Sequence, residues 1–294
     1  MTLQDVLDKY INAYSIQDRP PDDSELSLTV SFVIPVFNSA QSIEHTVVAI
    51  TKLLRADLIK EIVLIDDGSS DDSLAVMEKI VTRHSSFKIT VISNGARKYA
   101  AYSRNRGIEQ CSGDLVFFVD SDIILPSDYL VQHVRRQQIE GPCITFSLRK
   151  NISSIKEIIY PAKNADGDFR APILRENTLH NKSFDFCDTH NLAEMCLTCA
   201  VTYRRSDLET VRGCPENFVG WGYNDTAMAT KVIALHRPVV PVLSATVYHL
   251  EHAPRSGNPS QKWAEFYKNK ERYQKMLELP VADTFKHTIE ALEL

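Results

Sequence analysis

The hydrophobic pattern alternates between short apolar runs and longer amphipathic stretches along residues 29–140. The apolar runs predict buried strands at 29–36, 61–65, 87–92 and 115–119. Between them, apolar residues with helical spacing predict helices at 40–55, 73–84 and 100–110. Because strand and helix repeat about every 30 residues, the pattern indicates parallel β-α units with right-handed crossovers, which is an α/β fold.

The pattern becomes less regular after residue 140. The polar segment 150–195 has little periodicity and is expected to carry specificity or to become ordered on binding. The remaining patterns predict strands at 144–148, 198–203 and 239–247, and helices at 206–211, 226–235 and 260–278. An amphipathic helix at 3–16 and a Pro-containing linker at 19–24 precede the first strand, and Pro126 opens another helix. Pro35 lacks an N–H for strand pairing, so the first strand is expected to end there.

Composition narrows the class of protein. The chain has 294 residues, 44% apolar residues and a net charge of −5, which are typical of a globular protein without a general attraction to nucleic acid. No signal peptide is recognisable, and no apolar run reaches the roughly 18 residues of a membrane span. The six cysteines are scattered, and Cys196 and Cys199 are interpreted as two buried thiols, which favours a cytoplasmic location.

Two carboxylates follow the apolar run at 115–119 directly. Residues two apart in an extended chain point to one side, so Asp120 and Asp122 are expected to face the same way, with Ser121 turned away. Paired carboxylate oxygens suit Mg²⁺ or Mn²⁺ better than Zn²⁺. A solvated turn is the alternative for an isolated Asp-x-Asp. A second carboxylate cluster, Asp66 and Asp67, also follows a predicted strand, and Asp71 or Asp72 is expected to cap the next helix.

Six segments occur in an order that resembles the inverting nucleotide-sugar glycosyltransferases of family 2, which have the GT-A fold. They are residues 33–38 (VIPVFN), 65–70 (IDDGSS), 103–107 (SRNRG), 120–122 (DSD), 218–225 (FVGWGYND) and His249. The fifth segment looks most like the chondroitin-polymerase and galactosyltransferase type of site. The resemblance implies a Rossmann-like nucleotide-binding fold with a mixed, mostly parallel sheet flanked by helices.

The resemblance also divides the chain into four parts. These are an N-terminal helical extension and linker (1–28), a nucleotide-sugar-binding half (29–140), an acceptor-binding and catalytic half of the same domain (141–258) and a C-terminal helical segment (259–294). The donor contacts that it implies are Pro35, Phe37 and Asn38 at the base, Asp67 on the uracil imide N–H, Arg104 near the base or diphosphate, Asp120 near the ribose, and Ser121, Trp221 and Asn224. Arg104 could instead be a surface helix arginine, Asp67 a helix cap, and Trp221 a core residue.

A divalent cation, Mn²⁺ or Mg²⁺, is the cofactor that the resemblance implies. Asp122 would ligate it directly, Asp120 would lie close by, and His249 would complete the site. Such a cation neutralises the charge that develops on a departing nucleoside diphosphate. His252 is the alternative ligand, and a zinc site would need further soft ligands.

Asp225 is the candidate general base, which would accept the proton of the attacking hydroxyl. Its alternative role is to cap the helix predicted at 226–235, a role that Asn224 could also fill. Asn224 stands where relatives often carry a glutamate that contacts donor-sugar hydroxyls. Gly220 and Gly222 allow tight turns beside a ligand.

The function that these residues favour is metal-dependent, inverting transfer of a sugar from a UDP-sugar to an acceptor hydroxyl by single displacement. The acceptor expected is a soluble small molecule, a glycan or a peptide, and homo-oligomerisation through the terminal helices stays open. One alternative is a nucleotidyltransferase, but Phe37-Asn38-Ser39-Ala40 stands where a Gly-rich phosphate loop would be needed. The other is a catalytically inactive, sugar-binding relative.

Overall fold

The computed structural model describes residues 23–158, 168, 170, 192–252 and 259–281. The helix predicted at 3–16 and much of the segment 150–195 lie outside this part of the chain. None of the described helices is long and apolar enough to cross a membrane. The described cysteines form no disulfide, and Cys196 and Cys199 are both buried, as expected.

The described regular structure consists of ten strands, seven α-helices and five short 3-10 helices. The strands are β1 (Val30–Val36), β2 (Ile59–Asp66), β3 (Ile89–Ser93), β4 (Leu115–Val119), β5 (Ile123–Ile124), β6 (Ile144–Phe146), β7 (Arg149–Ile152), β8 (Ala200–Arg204), β9 (Val239–Pro241) and β10 (Val247–Leu250). The helices are α1 (Ile43–Thr51), α2 (Ser73–Arg83), α3 (Tyr99–Ile108), α4 (Tyr129–Ile139), α5 (Arg205–Thr210), α6 (Asn224–Ile233) and α7 (Pro259–Leu277).

The main sheet has seven strands in the order β3-β2-β1-β4-β8-β6-β9. Strand β8 runs antiparallel to β4 and β6, while the other neighbours are parallel. The predicted mixed, mostly parallel α/β sheet is therefore confirmed. Strands β6, β8 and β9, which follow residue 140, belong to the same sheet as β1 to β4. The division of the chain into four parts stays a prediction.

Both faces of the main sheet are covered, as the uninterrupted apolar runs require. In β4, Leu115, Phe117 and Val119 join the core on the side of α1, α2 and α4. Val116 and Phe118 join the opposite core, to which α3 and α6 also contribute. The apolar run 115–119 therefore forms a strand of the predicted length, buried on both sides.

Strand β1 does not end at Pro35, contrary to expectation, but continues to Val36 opposite Asp66. Its pairing with β4 stops at Val33, so beyond that residue β1 has β2 as its one neighbouring strand. A residue without an N–H is tolerated where a strand has a neighbour on one side.

A second, three-stranded sheet in the order β5-β10-β7 was not predicted. The strand predicted at 144–148 ends at Phe146 as β6, and β7 begins at Arg149, just beyond the predicted range. The strand predicted at 239–247 ends at Pro241 as β9, and β10 begins at Val247, the last residue of the predicted range. In both pairs the first strand joins the main sheet and the second joins the small one. The local apolar pattern could not reveal this division, because it does not identify a strand's partners.

The start of β7 is fixed by a fully buried ion pair between Arg170 and Asp168. Arg170 donates to the carbonyls of Ser147 and Met195, and Asp168 accepts from the backbone N–H of Arg149. Burial alone would raise the pKa of Asp168, but the hydrogen bonds and charge of Arg170, together with the backbone N–H groups of Arg149 and Arg170, lower that pKa overall. The ion pair and its hydrogen bonds therefore link the backbone at Ser147 and Arg149, on either side of the start of β7, to the backbone at Met195.

His133 on α4 is buried against β6. Its Nδ1 lies 2.9 Å from Thr145 Oγ1 and its Nε2 lies 2.8 Å from Ser147 Oγ, so hydroxyl groups satisfy both ring nitrogens. Burial lowers the pKa of His133 from 6.5 to about 3. The folded protein therefore excludes a proton that the unfolded chain binds below pH 6.5.

We expect the free energy of unfolding to fall as pH drops from 6.5 towards 3, because protonation of His133 then favours the unfolded chain. In His133→Gln, which keeps hydrogen-bonding capacity, the loss between pH 7 and pH 4.5 should be smaller than in wild type by about 2–3 kcal/mol. Urea unfolding at both pH values measures the difference. The exposed His45→Gln is the control, and an equal loss in His133→Gln and wild type would contradict the prediction.

Candidate functional site

The carboxyl ends of β1, β2 and β4 meet at one edge of the main sheet, because these three neighbouring strands are parallel. The residues that directly follow these three strands include Phe37, Asn38, Asp67, Asp120 and Asp122. Ligands of open α/β sheets bind at this edge. The segments singled out in the sequence therefore converge in space although they are up to 85 positions apart.

Asp122 forms a compact cluster with two histidines that the sequence had offered as alternatives. His252 Nε2 lies 3.0 Å from Asp122 Oδ2, and His249 Nε2 lies 3.6 Å from Asp122 Oδ1. The three potential ligand atoms all lie within 4.8 Å of one another. Burial lowers the pKa of His249, an effect that the Asp122 carboxylate opposes. A neutral imidazole is the form that binds a metal.

Pairing between strands brings the histidines to this carboxylate. His249 on β10 pairs with Ile123 on β5, directly after Asp122. The backbone N–H of Leu250 also donates to the carbonyl of Asp122 at 3.0 Å. The second sheet therefore attaches the C-terminal half of the chain to the Asp-x-Asp segment.

Asp120 and Asp122 have different partners within the protein. The Asp120 side chain is 41% exposed and lies 3.6 Å from Arg104 Nη2, outside the Asp122 cluster. Ser121 is buried and its hydroxyl lies 2.7 Å from Ser39 Oγ. Its side chain is thus turned into the protein, and a donor contact by Ser121 would have to involve its backbone.

Asp67 caps helix α3, a role that the sequence favoured less than base recognition. Its Oδ1 accepts from the backbone N–H of Lys98 and its Oδ2 from that of Tyr99. Asn94 and Ser103 also donate to Oδ1, so Oδ2 retains the greater capacity for a further hydrogen bond. Recognition of a base by Asp67 stays a prediction.

Of the carboxylates near the end of β2, Asp71 bonds the first turn of helix α2, whereas Asp66 bonds the turn before it. Asp71, as expected, accepts from the backbone N–H of Ser73 at the start of α2, and it accepts from Ala40 N as well. Asp66 accepts from Ser69 N at 3.1 Å and belongs to the turn after β2.

The predicted base slot contains a cation that sequence reasoning missed. The guanidinium of Arg97 lies 4.2 Å from the ring centre of Phe37 and 4.8 Å from that of Tyr99. Asn38 has a positive φ of 48° and accepts from Ser70 N at 2.8 Å. Pro35 lies one residue before the end of β1. The one feature of the sequence that could have indicated this role is the position of Arg97 in the connection that follows the third strand.

A cavity of about 660 Å³ adjoins this edge of the sheet. Asn38 and His252 line it, together with Asp71 and Ser153. Because neither Asp120 nor Asp225 lines the cavity, it borders the Asp122 cluster without containing the candidate base.

Arg104 is buried, so the alternative of a surface arginine is wrong. Its Nη1 donates to Asn224 Oδ1 at 2.7 Å, while its Nη2 lies 3.6 Å from Asp120 Oδ1. This one side chain therefore connects α3, the end of β4 and the start of α6.

Asp225 lies in the first turn of α6, which begins at Asn224 instead of residue 226. The capping position belongs to Tyr223, whose φ of 61° is left-handed, so neither Asp225 nor Asn224 is the cap residue. The partly exposed Asp225 carboxylate accepts from Thr226 N at 3.0 Å. A carboxylate in the first turn of a helix is stabilised by the helix dipole.

Helix α7 holds the turn that precedes Asp225. The buried Asn269 side chain donates through Nδ2 to the carbonyls of Val219, Trp221 and Gly222, at 3.0–3.2 Å. A Cβ at Gly222 would lie 2.6 Å from the Phe266 ring, which explains a glycine with a φ of 91° at this position. Sequence periodicity gave no signal for this role of Asn269.

Trp221 is partly covered by α7. Its ring centre lies 5.2 Å from that of Phe266 and 4.3 Å from Lys262 Nζ, and its backbone N–H donates to Glu265. The residue remains 41% exposed, so it is not a core residue. Its contact with a sugar stays a prediction.

A mixed, mostly parallel sheet with carboxylates gathered at its carboxyl edge defines the class: an α/β protein of the GT-A type. The family model described as "Glycosyl transferase family 2" matches residues 31–211, more than half of the chain. The chain belongs to glycosyltransferase family 2. A second model, described as "N-terminal domain of galactosyltransferase", matches residues 180–253, in agreement with the expected galactosyltransferase-like segment.

Two curated relatives illustrate the sequence similarity. The undecaprenyl-phosphate 4-deoxy-4-formamido-L-arabinose transferase of Pseudomonas syringae pv. syringae is 35% identical over 127 residues, which are 42% of this chain and 36% of that protein. Glycosyltransferase AglE of Haloferax volcanii is 33% identical over 93 residues, 32% of this chain and 30% of that protein. The chain thus spans about a third of the length of these relatives.

Two solved structures share the fold. The mannosyltransferase PcManGT from Pyrobaculum calidifontis, in complex with GDP-Man and Mn²⁺, matches with a TM-score of 0.62 and 17% identity over 98% of this chain and 74% of that one. S. aureus TarS 1–349, in complex with UDP, matches with a TM-score of 0.60 and 17% identity over 87% of this chain and 68% of that one. At this identity the likeness establishes the fold.

Asn269→Ala should lower the free energy of unfolding by about 1–3 kcal/mol, because backbone carbonyls of the turn at 219–222 lose a buried donor. Urea unfolding at constant pH measures the change. Lys270→Ala, an exposed neighbour on the same helix, is the matched control. Equal stability of the two variants would show that Asn269 does not hold the turn.

Proposed function

We propose that the protein is a metal-dependent, inverting glycosyltransferase that moves a sugar from a UDP-sugar to an acceptor hydroxyl. The observation that carries this proposal is the convergence of Asp122, His249 and His252 at the carboxyl edge of the sheet. The nucleotidyltransferase alternative lacks a Gly-rich phosphate loop after β1. An inactive relative is disfavoured because the carboxylate–histidine cluster and Asp225 are all present.

The ligand set fits a divalent cation. Asp122 supplies a buried carboxylate, and the two imidazoles lie close enough to share one ion with it. Two imidazole ligands depart from the all-oxygen set that Mg²⁺ prefers, so Mn²⁺ suits the site better than Mg²⁺. The cation would neutralise charge on the diphosphate as it leaves. The Mn²⁺ bound to PcManGT supports this choice.

Asp225 is the group proposed to accept the proton of the attacking hydroxyl. It is partly exposed, and within the described part of the chain its carboxylate accepts one hydrogen bond, from the N–H of Thr226 to Oδ1, so Oδ2 is available to a hydroxyl. Attack on the anomeric carbon from the face opposite the diphosphate forms the new bond as the old one breaks, and therefore inverts the configuration. The left-handed turn at Tyr223 and its contacts with α7 hold Asp225 in place.

Uracil is the proposed base of the donor nucleotide, since Asp67 Oδ2 has capacity to accept a hydrogen bond from its imide N–H. The ring of Phe37 and the guanidinium of Arg97 belong to the same proposed base slot. The UDP in the TarS complex supports this choice, whereas PcManGT carries GDP-Man. The proposed acceptor is a small molecule, a glycan or a peptide, and the undecaprenyl phosphate named for one relative should be assayed beside them. The described cysteines form no disulfide, which is compatible with a proposed cytoplasmic location.

Wild-type protein should bind one Mn²⁺ per chain, and Asp122→Ala should abolish this binding because it removes the one carboxylate of the cluster. His249→Ala and His252→Ala should each weaken Mn²⁺ binding by about tenfold or more, a cost typical of damage to a metal site. Titration calorimetry with MnCl₂ measures the affinities. UDP release from UDP-sugars should stop in EDTA.

Glu78→Ala, which removes an exposed carboxylate on α2, controls for loss of surface charge. Mn²⁺ binding of equal strength in Asp122→Ala and Glu78→Ala would place the metal elsewhere. UDP release that is indifferent to EDTA would refute the metal requirement.

Asp225→Asn should lower kcat by about 10²–10⁴-fold, because the amide cannot accept the proton. Binding of UDP with Mn²⁺ should persist, since Asp225 lies outside the Asp122 cluster. Steady-state UDP release and calorimetry with UDP measure the two effects. Glu109→Gln, at the exposed end of α3, is the control for loss of one carboxylate, and full activity in Asp225→Asn would exclude Asp225 as the base.

A further inference from the structure

We propose that Asn151 positions His249 as a metal ligand by accepting a hydrogen bond from the Nδ1–H of its imidazole ring. This inference rests on the proposed function, because it concerns the Mn²⁺ site of that function. It gives a role to β7, which contains none of the six segments on which the family resemblance rests.

His249 lies on the middle strand of the small sheet, since β10 runs between β5 and β7. Strand pairing places Ile123 of β5 beside His249 on one side and Asn151 of β7 on the other. Directly paired residues project from the same face of a sheet, and neighbouring strands are about 4.8 Å apart. Because an isoleucine side chain has no polar atom, Asn151 is the polar side chain directly paired with His249.

Two polar atoms on this face are buried without a partner. These are His249 Nδ1 and Asn151 Oδ1, and neither has a hydrogen-bonding partner in the described part of the chain. Buried polar atoms are normally hydrogen-bonded, so both have unused capacity. The amide oxygen is an acceptor, whereas the ring nitrogen is a donor or an acceptor according to the tautomer. One hydrogen bond between them satisfies both atoms if Nδ1 carries the proton.

The proposed metal fixes which tautomer is needed. His249 Nε2 lies 3.6 Å from Asp122 Oδ1, so Nε2 is the ring nitrogen that faces the cluster. A nitrogen that binds a metal carries no proton, and the proton of the neutral ring is then on Nδ1. Nδ1 is therefore a donor directed away from the ion. Metal-binding histidines generally donate this second N–H to a protein oxygen, which fixes the orientation of the ring.

The backbone around Asn151 is held on both sides. The N–H of Val247 donates to the carbonyl of Leu148 at 2.8 Å, and the N–H of Glu251 donates to that of Ile152 at 2.9 Å. The pairing of β7 with β10 therefore extends beyond Asn151 in both directions. A side chain on such a frame can orient its neighbour with little motion of its own.

Arg149 is the other candidate donor to the Asn151 oxygen. It lies two residues earlier and thus on the same face of β7, and its Nε is buried with no hydrogen-bonding partner among the described residues. An amide oxygen has two lone pairs, so Asn151 Oδ1 can accept from both side chains. An effect of Asn151 that runs through Arg149 must be separated from one that runs through His249.

The test is a double-mutant cycle on Mn²⁺ affinity, measured by titration calorimetry on the 294-residue chain. Asn151→Leu removes the acceptor and should weaken Mn²⁺ binding by about 10–100-fold, the loss typical of the outer partner of a metal ligand. The same change made in His249→Ala should cost about twofold or less, because the ring through which Asn151 acts is gone. Asn151→Asp keeps an acceptor oxygen and should bind Mn²⁺ at least as tightly as wild type.

Lys150→Gln, which alters the opposite face of β7, is the matched control and should leave the affinity within about twofold of wild type. Thermal melting in EDTA checks that each variant folds, and Asn151→Ala replaces the leucine variant if that one does not.

Equal Mn²⁺ affinity in Asn151→Leu and wild type would overturn the inference and leave the proposed function intact. An equal loss in the presence and absence of the His249 ring would also overturn it, because Asn151 would then act through Arg149 or the strand. Wild-type protein that binds no Mn²⁺ would overturn both proposals.

Discussion

Burial of the Asp122 carboxylate is the constraint on which the arrangement of the site depends. A charge that is 5% exposed is costly unless other groups compensate it, and here two histidines and the start of the second sheet lie against it. Strand β10 supplies His249 and is fixed next to Asp122 through β5 and the backbone N–H of Leu250. This pairing places the end of the C-terminal half of the chain against the Asp122 carboxylate.

The main sheet could be predicted from the sequence because its central strands are buried on both faces. A strand such as β4 then reads as an uninterrupted apolar run, and its ends coincide with the ends of the run. The small sheet could not be predicted, because β7 and β10 begin at or beyond the ends of the apolar runs at 144–148 and 239–247 and pair with each other in a separate sheet. Whether a short strand joins one sheet or another depends on distant partners, which no local pattern contains.

For the site, the sequence identified the side chains but did not identify all of their contacts within the protein. The ordered motifs brought Asp122 and His249 into consideration, with His252 as the alternative ligand, and the structure places all three together. Asp67, by contrast, caps a helix whose first residue lies 32 positions later in the chain. The burial of Arg104 depends on α6, 120 positions away. A motif can show that a residue type is present, whereas its hydrogen-bonding partners are decided by tertiary structure.

Helix α7 shows how far support for a proposed catalytic residue can lie from the motif that contains it. Tyr223 adopts a left-handed conformation, which costs about 1–2 kcal/mol in a non-glycine residue. Its ring packs 5.3 Å from Tyr273, and Asn269 binds the preceding carbonyls, so contacts with α7 offset this cost. Because α7 spans Pro259–Leu277, it lies beyond both matched family segments. The orientation of Asp225 therefore depends on a helix outside the shared family region, and a fragment ending at residue 253 would lose that support while keeping every motif.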